Sequence, residues 1–267
     1  MPLLAKYLTK QPSKFLNHVG DLNYARRIYI QKKNPNLHYL IKHRSIWMNE
    51  FIENNWVGVE LGSGIGASKD FIFAKQFLTS DFADSSWIDV RNVNAMSTPF
   101  KDCSQDFIIA NNMIHHCAYP ALFFKEVDRI LKPGGKLLIQ EVQTSFIMRI
   151  VLRLMQHEGF DETIDVFDET LICNDPEDLW SANCSIPKLI FSSMYFKSKF
   201  PEWKLLHDHK VEFLNFLNSG GIYGKFLYIP LPVLILRFLS LIDRVLIKMA
   251  PNLFALQRQI VLQKSLN

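Results

Sequence analysis

Three glycines at alternate positions follow an acidic residue in the segment VELGSGIG, residues 59–66. Glycine lacks a Cβ atom and tolerates positive φ, so Gly62, Gly64 and Gly66 suit a loop that turns tightly and lets a ligand lie against its backbone. A helix that begins after the loop would add free N–H groups and a positive dipole end. The pattern also fits the permissive G-x-G-x-x-G/A dinucleotide fingerprint, so by itself it does not identify the ligand. It also fits a tight strand-to-helix turn that binds no ligand.

Two carboxylates narrow the choice of ligand. Glu60 lies two residues before the first glycine, where a pyrophosphate gains nothing from a negative charge and a positively charged ligand gains an ion pair. Asp81 follows about 20 residues later, at the end of the expected second strand, where a carboxylate can accept both hydroxyls of a ribose. Asp81 suits NAD and S-adenosylmethionine equally, whereas Glu60 favours a cationic ligand.

The elements that must position these residues alternate from Trp56 onward between short apolar runs and helical stretches. This alternation is typical of βαβ units and a mostly parallel sheet. We predict strands at residues 56–61, 76–80, a short segment ending near 93, 106–111 and 136–142, with helices at 67–73 and 121–132. Residues 1–50 predict two or three helices, residues 203–213 a further strand, and residues 253–267 a closing strand.

Four segments, in this order, resemble the class I S-adenosylmethionine-dependent methyltransferases, in particular the subgroup with a type 11 methyltransferase domain. VELGSGIG resembles the first motif of that family, and SDF, residues 80–82, resembles its ribose-binding strand end. NAMSTPFKDCSQDFIIANNMIHH, residues 94–116, is similar to the stretch that ends in L-H-H. FFKEVDRILKPGGKLLIQE, residues 123–141, is similar to the helix, L-K-P-G-G turn and fifth strand that follow.

This resemblance covers about residues 56–142 and implies an α/β fold. The expected architecture is a Rossmann-like three-layer sandwich with a seven-stranded, mostly parallel sheet. We expect one domain, with an N-terminal helical cap at 1–50, a cofactor-binding core at 51–145, a substrate-side elaboration at 146–252 and a closing strand at 253–267.

The resemblance also implies S-adenosylmethionine as cofactor. The residues implied to bind it are Glu60, Gly62, Ser63, Gly64, Gly66, Asp81, Asn94, Ala95, Asn111 and Asn112. The glycine loop would lie against the methionine portion, Glu60 near its ammonium group, and Asp81 at the ribose hydroxyls. Asn94, which replaces the family's usual aspartate, would border the adenine with Ala95. Asn111 and Asn112 would lie beside the reaction centre, with turn or capping residues as the competing interpretation.

Three side chains are candidates for catalysis: His115, His116 and Glu141. Methyl transfer from a sulfonium is a direct displacement that depends mainly on alignment, and an alcohol acceptor must also lose a proton. A histidine titrates in the right range for that task, although the H-H pair occurs in the family across unrelated substrates and so has a structural alternative. The nearby segment QHEGFD, residues 156–161, concentrates His157, Glu158 and Asp161 just after the core, and we interpret it as a solvated charged turn, with a part in the site as the alternative.

Residues 143–235 resemble, more weakly, the region that follows the core in bacterial methyltransferases of surface-polysaccharide and sugar biosynthesis. HEGFD, SANCSIPKLIF, FKSKFPEWKLL and FLNSGG carry this likeness. It implies a small-molecule or glycan acceptor, with oxygen as the methylated atom. In the predicted helix 232–249, Arg237, Ser240, Arg244 and Lys248 form a narrow stripe, which suits either a helix packed on the protein or one lying on an anionic membrane.

Composition excludes several other classes. The net charge is +4 and its basic residues are scattered, so no nucleic-acid partner is expected. The cysteines form no CxxC pair and no His and carboxylate cluster has ligand spacing, so we expect reduced thiols and no metal. The N-terminus lacks an uninterrupted apolar core, which favours a cytoplasmic protein, or one peripheral to a membrane. An NAD-dependent oxidoreductase and a catalytically silent binding module are the alternative functions.

Overall fold

The computed structural model describes residues 9–11, 20–178, 180–191, 195–221 and 226–266. Its strands are β1 (Val57–Leu61), β2 (Gln76–Ser80), β3 (Gln105–Asn111), β4 (Leu131–Val142), β5 (Trp203–Val211) and β6 (Gln257–Lys264). They form one sheet in the order β2-β1-β3-β4-β6-β5. Strands β2, β1, β3 and β4 are parallel to one another, and β6 runs antiparallel to both β4 and β5. The closing strand and the strand after residue 203 are therefore confirmed.

The helices are α1 (Leu22–Gln31), α2 (Pro35–Ile46), α3 (Pro120–Ile130), α4 (Phe146–Met155), α5 (Ile186–Phe191), α6 (Tyr195–Lys199), α7 (Leu214–Leu217), α8 (Val233–Met249) and α9 (Pro251–Phe254). Single 3-10 segments occupy Trp47–Phe51, Ala67–Asp70 and Ile114–His116. The helices expected within residues 1–50 are present as α1 and α2, while residues 1–8 and 12–19 lie outside the described residues.

Alternation along β3 divides the core into two faces. Phe107 and Ile109 belong to one buried cluster with Met48 from the N-terminal region, whereas Ile108 and Ala110 belong to another with Phe123 from α3. Successive strand side chains point to opposite faces, so α3 packs on one face of the sheet and the 3-10 segment Trp47–Phe51 on the other. Burying each large apolar side chain stabilises the fold by roughly 1.5–3 kcal/mol.

The predicted seven-stranded sheet is not confirmed, since the described residues form a sheet of six strands. The strand expected near Val93 is reduced to one parallel bridge between Ser80 and Val90. Asn92 adopts a left-handed φ of 55°, which interrupts an extended segment. Asp89 also turns its carboxylate back to the backbone N–H of Thr79, at 2.8 Å, so local polar contacts replace a ladder.

The helix predicted at 67–73 is also too long, since only the 3-10 turn Ala67–Asp70 forms. Its preceding residue, Gly66, has φ 66°. The glycine loop therefore lacks a long helix with an aligned dipole behind it. Three of its backbone N–H groups, those of Ser63, Gly64 and Gly66, donate within the protein.

The N-terminal helices pack against the region after β5. Asn34 and Asn36 donate to the carbonyls of Ser219 and Asn218, both at 2.7 Å. Arg44 forms a bidentate ion pair with Glu212, with an Nη2–Oε2 distance of 2.7 Å. The N-terminal helices and residues 212–219, which are far apart in sequence, are therefore packed against each other.

Helix α8 was predicted from its apolar run and is confirmed at Val233–Met249. Its buried face consists of Leu236, Asp243 and Ile247. The Asp243 carboxylate accepts the backbone N–H groups of Phe213 and Leu214, at 3.2 and 2.8 Å. No helix among the described residues is long and apolar enough to cross a membrane.

Candidate functional site

The glycine loop has the backbone geometry that its sequence predicts. Gly62 has φ 72°, and a Cβ atom built there would lie 2.7 Å from the Cβ of Met113. Gly64 has φ 52°, and a Cβ there would meet only Leu22 Cδ2, at 4.0 Å. A side chain is thus excluded at Gly62 by the protein itself, whereas at Gly64 it would project into open space where a ligand can lie.

Glu60 ends β1 beneath this loop and is almost fully buried. The hydroxyl of Ser68 donates to its Oε2 atom. Burial raises the pKa of Glu60 to about 7, against the opposing effect of hydroxyl hydrogen bonds from Ser68 and Ser63. A buried carboxylate held by neutral hydroxyls is stabilised in its charged form by a cationic ligand group, as an ammonium would be.

Asp81 follows β2 and is tied to the glycine loop. Its carboxylate accepts the N–H of Gly64 at 2.7 Å and that of Ala83 at 2.8 Å. Burial raises the pKa of Asp81, and these two backbone hydrogen bonds oppose the shift. The residue therefore holds the loop in shape and offers its remaining oxygen lone pairs toward the cavity that it lines.

One large cavity of about 1050 Å³ lies at the carboxyl ends of the parallel strands. Nine of the ten residues predicted to bind cofactor line it: Glu60, Gly62, Ser63, Gly64, Asp81, Asn94, Ala95, Asn111 and Asn112. Gly66 is not among its lining residues and instead packs close to Trp87. The site thus sits where open α/β sheets bind ligands.

The three predicted asparagines keep their side chains within local turns. Asn94 Oδ1 accepts the N–H of Met96 at 2.9 Å. Asn112 has a left-handed φ of 52° and donates its Nδ2 to Asn111 Oδ1 at 2.9 Å. The turn interpretation of Asn111 and Asn112 therefore describes their local contacts, while both residues also border the cavity.

The two predicted histidines lie on the 3-10 turn after β3, and each ring is fixed through its Nδ1 atom. His115 Nδ1 lies 2.7 Å from Glu141 Oε2, and His116 Nδ1 lies 3.0 Å from the carbonyl of Ser181. Glu141 is fully buried and does not line the cavity. Its carboxylate also accepts the N–H groups of Ile114 and Val142, at 2.5 and 3.0 Å, so it lies behind His115.

Glu158 is the residue that the sequence interpretation missed. The segment 156–161 was interpreted as a solvated turn, which is wrong for Glu158: its side chain is 26% exposed and faces both imidazoles. The Nε2 atoms of His115 and His116 lie 3.8 and 4.0 Å from its oxygens. A chain separation of more than 40 residues between these groups leaves no spacing signal that could have joined them.

This cluster separates the protonation behaviour of its two histidines. Burial alone would lower the pKa of His115, but Glu141 and Glu158 outweigh it and raise that pKa to about 10. Burial and the neighbouring charge of His115 lower the pKa of His116 to about 4. Burial would raise the pKa of Glu158, yet His115 holds it well below its usual range. At neutral pH the site therefore contains a charged His115 beside a neutral His116.

Much of the cavity lining is apolar, which the sequence did not predict. These apolar lining residues come from α2, α4, α7 and the segment after α7: Leu37, Leu40, Ile41, Met148, Val151, Leu152, Leu154, Met155, Phe216, Leu217, Phe226 and Leu227. Leu154 is 79% and Leu227 100% exposed, so the apolar lining continues onto the surface. The cavity thus combines the glycine loop, the two histidines and an apolar lining that reaches the surface.

Residues 60–139 match a family model described as a methyltransferase domain. Fusarin C synthetase from Gibberella moniliformis is 31% identical over 125 residues, which cover 38% of this chain and 3% of that protein. The uncharacterized protein YafE from Escherichia coli is 39% identical over 57 residues, covering 21% of this chain and 28% of that protein. The matched part of the chain spans only a small share of these relatives' length.

The structure is similar to that of a SAM dependent methyltransferase from Archaeoglobus fulgidus, with a TM-score of 0.51 and 13% identity over 89% of this chain and 99% of that one. The chain thus has a Rossmann-like methyltransferase fold, with a mixed six-stranded sheet and a methyltransferase domain over residues 60–139. The family match and the fold support the predicted class I S-adenosylmethionine-dependent type. The predicted cofactor, S-adenosylmethionine, is confirmed as the one that accompanies this domain and fold.

Proposed function

We propose that the chain transfers the methyl group of S-adenosylmethionine to a hydroxyl oxygen of a lipid-linked glycan. The observation that carries this proposal is the single cavity in which three environments meet. A glycine loop with two carboxylates, a histidine and carboxylate cluster, and apolar side chains all line this cavity. Its volume of about 1050 Å³ is at the upper limit of ordinary ligand pockets, so it can hold a cofactor together with part of a second molecule.

The first environment suits the cofactor. When bound, S-adenosylmethionine supplies a methyl group activated by a positively charged sulfur. Glu60 would offer its buried carboxylate to the ammonium group, directly or through water, and the Asp81 carboxylate would accept the ribose hydroxyls. Asn94 and Ala95 would border the adenine, and Asn111 and Asn112 the methionine portion beside the reaction centre.

The second environment suits removal of a proton from the acceptor. A hydroxyl oxygen that attacks the methyl group forms an O–C bond while the C–S bond breaks, and its proton must leave. His116 is neutral and its Nδ1 atom faces a carbonyl, which fixes the tautomer with a free Nε2 lone pair. We assign His116 as the proton acceptor and Glu158 as the group that stabilises the resulting imidazolium. His115 and Glu141 are positioning residues, since Glu141 lies behind His115.

The third environment supports a lipid-linked acceptor. Residues 143–235 resemble the post-core region of methyltransferases in polysaccharide biosynthesis, which favours a sugar hydroxyl. A sugar alone would not need the apolar wall that α2 and α4 provide. A glycan joined to an apolar carrier would place its hydroxyl at the histidines and its carrier along this wall.

Helix α8 supports the delivery of such an acceptor from a membrane surface. Its exposed side chains comprise seven apolar residues, Val233, Leu234, Ile235, Phe238, Leu241, Val245 and Met249, and three basic ones, Arg237, Arg244 and Lys248. The packed face, in contrast, contains Asp243 and Ser240 in hydrogen bonds. An apolar outer face flanked by cations is typical of a helix that lies in the interface of an anionic membrane.

Sedimentation with vesicles tests this membrane contact. We expect the chain to bind vesicles of phosphatidylcholine with phosphatidylglycerol more tightly than phosphatidylcholine alone. Leu234→Asp with Leu241→Asp removes two apolar side chains worth roughly 1.5–3 kcal/mol each, so binding should fall about 100-fold or more. Ile30→Asp with Phe73→Asp is the matched control, since both residues are more than half exposed but lie elsewhere. Equal loss in the two double variants would reject α8 as the contact.

Calorimetric titration and a transfer assay test the proposed activity. S-adenosylhomocysteine should bind at micromolar levels and NAD should not, and the reverse result would exclude methyl transfer. Radiolabelled S-adenosylmethionine should then label a lipid extract containing glycan carriers more than the same glycans released from their lipid. Cofactor binding without any labelled acceptor would favour a silent binding module.

A further inference from the structure

The two imidazoles of the His115–His116 turn are oriented as metal ligands usually are. Each Nδ1 atom faces an oxygen acceptor, Glu141 Oε2 at 2.7 Å for His115 and the Ser181 carbonyl at 3.0 Å for His116. In histidine metal sites, the nitrogen that does not bind the metal typically donates to a carboxylate or carbonyl in this way, which fixes the tautomer and the ring orientation. Here the other nitrogen of each ring, Nε2, faces the same carboxylate, that of Glu158.

The space between these three groups fits a cation. The Nε2–oxygen distances of 3.8 and 4.0 Å are too long for hydrogen bonds, and one ligand atom from each residue lies within 4.8 Å of the others. Bonds of about 2.1 Å in a tetrahedral arrangement place ligand atoms about 3.4 Å apart. Closing separations of up to 4.8 Å to this value needs side-chain movements of up to about 0.7 Å from each group, which small rotamer adjustments can supply.

We infer that His115, His116 and Glu158 form a binding site for a divalent transition-metal cation. Two imidazole nitrogens and one carboxylate oxygen suit Zn²⁺, Mn²⁺, Fe²⁺ or Co²⁺ better than Ca²⁺, which prefers oxygen ligands alone. Binding displaces the Nε2 proton of His115 to solvent, and the carboxylates of Glu141 and Glu158 then balance the charge of the dication. Binding itself follows from this geometry and does not depend on the proposed methyl transfer.

The role of the ion rests on the proposed function. All three ligands line the cavity, so further coordination positions face the space where the acceptor hydroxyl would lie. A hydroxyl bound to the cation loses its proton to solvent more readily, and the resulting alkoxide attacks the methyl group as the C–S bond breaks. The cation would then take over the part assigned above to the His116 lone pair.

Metal titration of the full chain tests the inference without any activity measurement. The chain, free of an affinity tag, is dialysed against a chelator and titrated with Co²⁺, whose visible absorption reports its coordination. We expect one equivalent to bind with a d–d band that Zn²⁺ removes by competition. Glu158→Gln and His116→Gln should each weaken binding at least 10-fold, and Glu141→Gln should weaken it 10–100-fold through His115.

His157→Gln is the matched control, since it removes a neighbouring imidazole that lies outside the three ligands. It should leave the Co²⁺ affinity unchanged, and far-ultraviolet circular dichroism checks that each variant is folded. Absence of stoichiometric binding, or equal affinity in Glu158→Gln and the parent chain, would overturn the inference. Retained Co²⁺ binding in a chain that fails to bind S-adenosylhomocysteine would reject the proposed function and leave the metal site standing.

Discussion

Gly62 and Gly64 offer a matched pair of alanine substitutions whose costs should differ for one structural reason. Both residues have positive φ, so Ala at either position pays about 1–2 kcal/mol for the left-handed conformation. At Gly62 the new methyl group would also meet the Cβ of Met113 at 2.7 Å. At Gly64 the nearest atom is Leu22 Cδ2 at 4.0 Å, which is an ordinary contact.

The contact at Gly62 cannot be relieved by rotating the Met113 side chain, because a Cβ atom is fixed to its own backbone. Met113 is buried directly after β3, so the loop itself must shift. Overpacking of this kind typically costs 1–3 kcal/mol. We therefore expect Gly62→Ala to lower the free energy of unfolding by about 2–5 kcal/mol and Gly64→Ala by about 1–2 kcal/mol.

Urea unfolding followed by circular dichroism measures this difference, and titration with S-adenosylhomocysteine measures a second one. The Gly64 methyl group would project into the space proposed for the cofactor, so Gly64→Ala should lose at least 10-fold in affinity while remaining folded. If the two variants unfold within about 0.5 kcal/mol of each other, the Met113 contact does not control the loop. If Gly64→Ala binds S-adenosylhomocysteine as tightly as the parent chain, the cofactor does not lie against this loop.

Three further outcomes are expected. Asp81→Asn should weaken S-adenosylhomocysteine binding 10–100-fold by calorimetry, because an amide accepts fewer ribose hydrogen bonds than a carboxylate. Burial raises the pKa of Glu60 to about 7 from 4.5, so the parent chain should lose up to roughly 3 kcal/mol of stability as pH rises between these values. Urea unfolding at pH 5 and pH 8 should find this loss absent in Glu60→Gln. His116→Gln should lower kcat at least 100-fold with little change in S-adenosylhomocysteine affinity, and an equal fall in affinity would argue against its role as proton acceptor.

The cofactor half of the site was predictable because its residues follow one another in linear motifs. Each parallel strand delivers its last residues to the same edge of the sheet, so Glu60, Asp81 and Asn111 meet there once the strands are identified. Continuous apolar runs, which buried parallel strands require, located the strands, although β4 begins at Leu131 and not at residue 136 as predicted. The predicted strand ending near Val93 does not form. Val90 and Val93 suggested an extended segment, but the left-handed conformation of Asn92 interrupts it.

The acceptor half was not predictable, because its residues come together only through long-range packing. Glu158 reaches the histidines from a turn after α4, and a solvated turn has the same composition as a functional one. The apolar wall joins Leu40 of α2 to Leu152 of α4 and Phe216 of α7, and none of these is distinguishable in sequence from an ordinary core residue. Only the topology says which apolar side chains face a cavity.

The buried face of α8 includes hydrogen-bonded polar groups, and many of the helix's apolar side chains lie on its outer face, where they are free to bind a partner. A helix at a protein surface normally buries its apolar stripe, since that burial provides most of its stability. Here the buried face combines the apolar side chains of Leu236 and Ile247 with the hydrogen bonds of Asp243 to two backbone N–H groups and of Asn215 to Ser240 at 2.9 Å. The outer apolar side chains are not part of this attachment, and Leu234 and Met249, 75% and 76% exposed, remain in water at a cost that a membrane surface would remove. Asp243→Ala should accordingly destabilise the fold by about 1–3 kcal/mol in urea unfolding, through the two N–H groups left unpaired. Loss of vesicle binding with unchanged stability would instead assign Asp243 to the membrane contact and contradict this account of the helix.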